Sequence, residues 1–132
     1  MFINRDIGMV APVADRIAVM YRGHTVEAGS VHEILSTPYH PYTAALLCAV
    51  LVVGARGREA PRARLAGDPG AATIGPGCRF AARCPRKLGG IRETVPPTWQ
   101  QQAPGHRIPC HIPLAYPAAT KPLLAGANET IR

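Results

Sequence analysis

Three cysteines and two neighbouring histidines are the residues in this chain whose types and spacing suit chemistry. Cys78 and Cys84 stand six positions apart in Gly77-Cys78-Arg79-Phe80-Ala81-Ala82-Arg83-Cys84-Pro85. Cys110 follows in His106-Arg107-Ile108-Pro109-Cys110-His111. All three lie in Pro/Gly-rich sequence outside any apolar periodicity, so they do not read as core residues. No basic segment followed by an apolar stretch opens the chain, and thiols without a secretory signal read as cytosolic thiols or metal ligands ahead of disulfides. The fourth cysteine, Cys48, falls in an apolar helical segment and reads as core. His24, His32 and His40 are spaced by eight and do not suit a compact metal site. Ser30 reads as a helix cap, because no His/Asp arrangement surrounds it that would make it a nucleophile.

The elements that must position these residues are legible mainly in the first third of the chain. Residues 2–4 read as the end of a strand, and 7–15 as a short helix capped by Asp6 and limited by Pro12. Residues 17–28 read as a β-hairpin turning at Arg22-Gly23-His24 and broken by Gly29. Ser30-Val31-His32-Glu33 is a capping box, with Val31, Ile34 and Leu35 forming the apolar face of the helix that follows. Thr37-Pro38 ends that helix. Pro41 opens another, through about Val53, at a position where a first-turn proline is tolerated. Composition then shifts to Arg, Gly, Ala and Pro, as in a linker. Residues 70–113 read as a loop-rich, largely irregular unit around the cysteines that needs a staple to be ordered. The last residues read as a frayed tail. No internal repeat is visible.

Composition narrows the function classes. The chain has 132 residues and a net charge of +7. Residues 1–50 carry three Arg against four acids, so the basic surplus belongs to the remainder. The Arg residues there are scattered, few aromatics lie between them, and no nucleic-acid-binding motif accompanies them, so they read as a solvated or docking surface. The longest apolar run, Ala44 to Val53, is about half of the roughly 20 residues a spanning helix needs, so no membrane crossing is expected.

Three stretches together resemble a known family. Asp15-Arg16-Ile17-Ala18-Val19-Met20-Tyr21-Arg22-Gly23, Val26-Glu27-Ala28-Gly29 and His40-Pro41-Tyr42-Thr43-Ala44-Ala45-Leu46-Leu47 resemble the ATP-binding subunits of oligopeptide/dipeptide ABC importers. Pro76 to Pro85 and His106 to His111 resemble the C-terminal extension of those proteins. The resemblance implies an α+β fragment: residues 1–55 as the end of a nucleotide-binding domain, 56–69 as a linker, 70–113 as the Cys-containing extension and 114–132 as a disordered tail. It implies a cytoplasmic subunit, peripheral on the membrane, that partners permease subunits and a second ATP-binding subunit. No GxxxxGK[ST] loop occurs in the sequence, so ATP, the parent family's cofactor, is not expected to bind this chain alone, and no ATPase activity is expected from it. The leading reading is therefore a truncated, inactive subunit. A split subunit complementing a separate N-terminal half, or a small metal-binding or regulatory adaptor, are the alternatives.

The family also implies two sites. Where it reads Thr-His-Asp at the γ-phosphate, this chain reads Asn4-Arg5-Asp6. Arg5 can pair with phosphate but stays charged and cannot replace a neutral imidazole. The family's extension is thought to ligate a [4Fe–4S] cluster through four cysteines. Cys78, Cys84 and Cys110 match three of them, and the fourth falls at Ile91, which cannot ligate. Three outcomes stay open: a three-ligand cluster, zinc held by the three thiolates with His106 or His111, or no metal at all.

Overall fold

Two antiparallel hairpins, one from each end of the described chain, join edge to edge in one four-stranded sheet. The computed structural model describes residues 1–54, 65, 75–85 and 89–112. In chain order the elements are α1 (Ile7–Val10), β1 (Arg16–Tyr21), β2 (His24–Ser30), α2 (Val31–Ser36), α3 (Pro41–Gly54), a 3₁₀ turn (Ala81–Arg83), α4 (Ile91–Thr94), β3 (Trp99–Ala103) and β4 (His106–Pro109). The sheet order is β1-β2-β4-β3. The linker expected over 56–69 lies outside the described residues apart from Leu65, which packs against the core. The tail expected over 114–132 lies outside them entirely.

The first hairpin follows from residue type. Strand β1 alternates exposed and buried positions, turning Ile17, Val19 and Tyr21 inward. Its turn needs only Arg22 and Gly23, both at positive φ (49° and 78°), the geometry whose twist matches a two-residue hairpin. His24 is therefore the first residue of β2, paired with Tyr21, and not part of the turn. The register slips between Val19 and Met20, leaving Val26 between the pairs Val19–Glu27 and Met20–Thr25. That slip buries two consecutive residues, Val26 and Glu27.

The helices behave as their signals predict, with one shortened. Asp6 caps α1, accepting from the Gly8 amide at 2.8 Å. The helix stops at Val10 and does not run on to residue 15, because Pro12 has no N–H to continue the ladder. The capping box of α2 is complete: the Glu33 amide donates to Ser30 Oγ at 3.2 Å and the Ser30 amide to Glu33 Oε2 at 2.8 Å. Thr37 caps its C-terminus, and Pro41 opens α3. The core gathers Ile7, Ile17, Val19, Tyr21, Val26, Ile34, Leu47 and Phe80. Cys48 is buried on α3, as its apolar context predicts. Phe2, Ile3, Met9, Val13 and Met20 stay exposed. Among the described residues no helix is long and apolar enough to cross a membrane.

Three expectations change. Residues 2–4 form no strand. Gly29 does not break β2 but pairs with Ile17 inside it. Its lack of a side chain serves close packing: a Cβ there would stand 3.2 Å from both Glu33 Oε2 and His106 Cδ2. Finally, residues 89–112 are not irregular. They contain α4 and the β3–β4 hairpin, which turns at Pro104-Gly105 with Gly105 at φ 86°. Strand β4 then pairs with β2 through Ala28 and Arg107, and Arg16 Nη2 reaches from β1 to donate to the Gly105 carbonyl at 2.9 Å.

Candidate functional site

The cysteine loop is fixed to the N-terminal elements by an aromatic anchor. Phe80, 1% exposed, lies between Cys78 and Cys84 in sequence and inserts edge-on among Tyr21 (centroids 5.2 Å apart) and His40 (5.0 Å). Arg79, beside it, donates from Nε to His24 Nε2 at 3.1 Å. A second clamp comes from α4. The Cys78 amide donates to the Arg92 carbonyl at 2.7 Å, and Gly77 lies so close to the Arg92 and Glu93 carbonyls that any Cβ would collide with them. The 3₁₀ turn closes the loop, with the Ala81 amide donating to the Cys78 carbonyl and the Cys84 amide to the Ala81 carbonyl.

The Cys78 thiol lies within electrostatic reach of Cys84 and Cys110. Burial pushes the Cys78 thiol above its ordinary value; the backbone of Phe80 and, less, of Ala81 acts against that, while Cys110 and Cys84 push the same way as burial. Cys110 is held by its own amide, which donates to the Thr98 carbonyl, and its sulfur accepts from the Ile112 amide at 3.4 Å. All four cysteines are free thiols. As the side chains lie, no three His, Cys, Asp or Glu among the described residues stand close enough together to hold a metal ion.

The two histidines of the C-terminal run have different surroundings. His106, 1% exposed, places Nε2 2.7 Å from Oε1 of Glu27, itself fully buried. Glu27 also accepts from the Tyr39 amide (2.8 Å) and the His40 amide (3.1 Å). The carboxylate thus bridges the first hairpin, the start of α3 and the second hairpin, and the ring of Tyr39 meets that of His106 edge-on at 5.0 Å. His111 is half-buried and places Nε2 2.9 Å from the Val95 carbonyl. A carbonyl only accepts, so Nε2 is the donor in this contact. Ile91, at the first position of α4, is 54% exposed. Arg5 is exposed ahead of α1.

Glu27 is the residue that sequence reasoning did not single out. Its only signal is a carboxylate inside a strand beside Val26, and the register slip that buries both side chains cannot be read from alternation. His40, read as an unremarkable residue before a proline, is buried and caps α3: its Nδ1 accepts from the Tyr42 amide at 3.2 Å.

Comparison with known proteins converges on one group. Residues 26–90 match the C-terminal region of oligopeptide/dipeptide transporters. The chain is 38% identical over 114 residues to the oligopeptide transport ATP-binding protein AppF of Bacillus subtilis, covering 85% of this chain and 34% of that protein. It is 40% identical over 111 residues to the probable peptide ABC transporter ATP-binding protein y4tR of Sinorhizobium fredii, covering 83% of this chain and 32% of that one. A shorter match, 54% over 63 residues, is to the glutathione import ATP-binding protein GsiA of Escherichia coli, 47% of this chain and 10% of that protein. The chain therefore spans about a third of the first two relatives. It corresponds to the C-terminal portion of an oligopeptide/dipeptide ABC transporter ATP-binding subunit.

Proposed function

We propose that this chain supplies the C-terminal part of the ATP-binding subunit of a peptide importer. Its sheet is the joint between the end of the nucleotide-binding domain, residues 1–55, and the extension, residues 70–113. The pairing of β4 with β2 supports this reading, as does the burial of Glu27 against His106 at the same seam. Both hold the second hairpin against the first. The subunit works on the cytoplasmic face of the membrane with permease subunits and a second ATP-binding subunit.

These residues alone neither bind nor hydrolyse ATP. Phosphate binding by such motors needs a Gly-rich loop whose backbone amides and lysine cradle the phosphates, and no such motif occurs in the sequence. Arg5, exposed at the position the family gives to its γ-phosphate contact, does not substitute for that loop.

The reading is tested by exchange. The segment of AppF that matches residues 7–112 is replaced by those residues, so that the γ-phosphate contact ahead of them stays AppF's own, and oligopeptide uptake is measured in cells lacking the native subunit. Uptake is expected at a level comparable with that of the unaltered subunit. A chimera present at normal amounts without uptake overturns the proposal. In parallel, purified 132-residue chain is assayed with ATP and Mg²⁺, and phosphate release above the blank would refute its inactivity.

A further inference from the structure

Strands β1 and β3 are the two outer strands of the sheet, and they are built differently. Strand β3 has the make-up of a strand that ends a sheet. Its centre is Gln100-Gln101-Gln102, with Pro97 ahead of it and Pro104 behind it. Polar side chains and flanking prolines discourage a further strand from pairing there. Strand β1 carries no such device past Arg16. Its run Ile17-Ala18-Val19-Met20-Tyr21 is apolar on both faces. Ile17, Val19 and Tyr21 are buried against the core, whereas Ala18 and Met20 stand exposed on the opposite face, Met20 at 57%. A continuous apolar run of this kind marks strands that are covered on both faces inside larger sheets.

We propose that β1 is an inner strand of a larger sheet, and that its free edge takes a strand from the N-terminal portion of an ATP-binding subunit of this family. The inference rests on the importer-subunit reading above and names the partner of its first hairpin.

Two further observations fix the occupant. Among the described residues, six of the nine exposed large hydrophobic side chains fall within the first 20 positions, where Phe2, Ile3, Met9 and Val13 join Met20. Uncovered apolar surface therefore concentrates in the part of the chain that leads into β1, and such surface marks a place where another segment packs. The chain covers 34% of AppF and 32% of y4tR, and its family match is to a C-terminal region. In those relatives a segment long enough to supply both a pairing strand and a layer over Met20 precedes the matched part. The strand that pairs gains backbone hydrogen bonds along β1. It is itself rich in apolar residues, because each of its faces continues one of β1.

The test compares hydrogen exchange in the full 132-residue chain with that in the AppF chimera, where the N-terminal part of AppF stands ahead of residues 7–112. Amides of β1 that point to its free edge should exchange at least about tenfold more slowly in the chimera. Amides on the outer edge of β3 should exchange alike in both. Met20→Glu should leave the melting temperature of the 132-residue chain unchanged and lower that of the chimera, since the carboxylate is solvated in the first and buried in the second. Ile91→Glu, at a similarly exposed position, should lower neither. The exchange comparison decides the matter even where Met20→Glu keeps the chimera from folding. Equal exchange of β1 in the two proteins, or a folded chimera indifferent to Met20→Glu, would overturn the proposal. So would β1 protection that sets in as the 132-residue chain dimerises with concentration, which would give the edge to a second copy. None of these readouts needs transport. A chimera that protects β1 yet takes up no peptide overturns the importer reading alone, and one that transports without protecting β1 overturns this inference alone.

Discussion

Glu27 Oε1 and His106 Nε2 lie 2.7 Å apart although 79 positions separate them in sequence. Neither side chain is reached by solvent to any useful extent, so each is the other's main compensation for leaving water. Removing one partner of such a pair leaves the second stranded, which typically costs about 3–5 kcal/mol. We expect Glu27→Ala and His106→Ala each to destabilise the chain on that scale in urea unfolding. The double variant should cost clearly less than the sum of the two, since the stranding penalty disappears when both are gone. Full additivity would mean the two residues do not act on each other.

Phe80→Ala should empty a buried site shared by Tyr21, His40 and Tyr42. Aromatic truncation in a core costs about 3–5 kcal/mol. Because Phe80 also anchors the cysteine loop, limited proteolysis should shift to cleavage between residues 75 and 85 before the rest of the chain yields. Uniform cleavage would detach the loop from this anchor.

Gly77→Ala should be more damaging than Gly90→Ala. A Cβ at Gly77 collides with the backbone carbonyls of Arg92 and Glu93, whereas one at Gly90 meets nothing within 4 Å. Backbone cannot swing aside as a side chain can, so α4 must lift off the loop. Thermal melts of the two variants give the comparison, and equal melting temperatures would contradict it.

Acid should act on the capping box. The Glu33 carboxylate is held below its ordinary value of 4.5, first by the Ser30 amide and then by the Ser30 hydroxyl, with smaller help from His106 and Arg16. A depressed carboxylate contributes stability that is complete above the unfolded value and is lost as pH falls through the folded one. Carboxyl resonances followed by NMR should therefore place the Glu33 transition below that of an exposed glutamate, and Ser30→Ala should move it back up. A transition unaffected by Ser30→Ala would show that the Ser30 hydroxyl does not contribute to it.

What the sequence revealed, and what it hid, divides along physical lines. Ile17, Val19 and Tyr21 alternate strictly, Arg22-Gly23 can take positive φ, and Ser30 and Glu33 sit three apart, so local rules reach the first hairpin and the start of α2. The second hairpin escaped because Trp99-Gln100-Gln101-Gln102-Ala103 offers few branched aliphatics, and because β3 and β4 gain much of their order from pairing with a distant strand. Residues 2–4 misled for the converse reason: Phe2 and Ile3 have strand-forming side chains but nothing among the described residues pairs with them. At the site, the types of Cys78, Cys84 and Cys110 were legible. The commitment of His106 was not, since it turns on Glu27, a partner visible only once β4 lies beside β2.

The order β1-β2-β4-β3 also has a consequence for synthesis. A ribosome delivers β2 long before β4, so the growing chain must hold an open strand edge and a solvated Glu27 until His106 emerges. Closing a span of 79 positions from an unfolded chain costs roughly 4 kcal/mol in entropy beyond a constant term, which the seam recovers only when its last strand docks. A product released before residue 106 would therefore lack not just its tail but the strand that caps its sheet. It would expose the β2 edge to other chains, as an unfinished zip exposes its teeth.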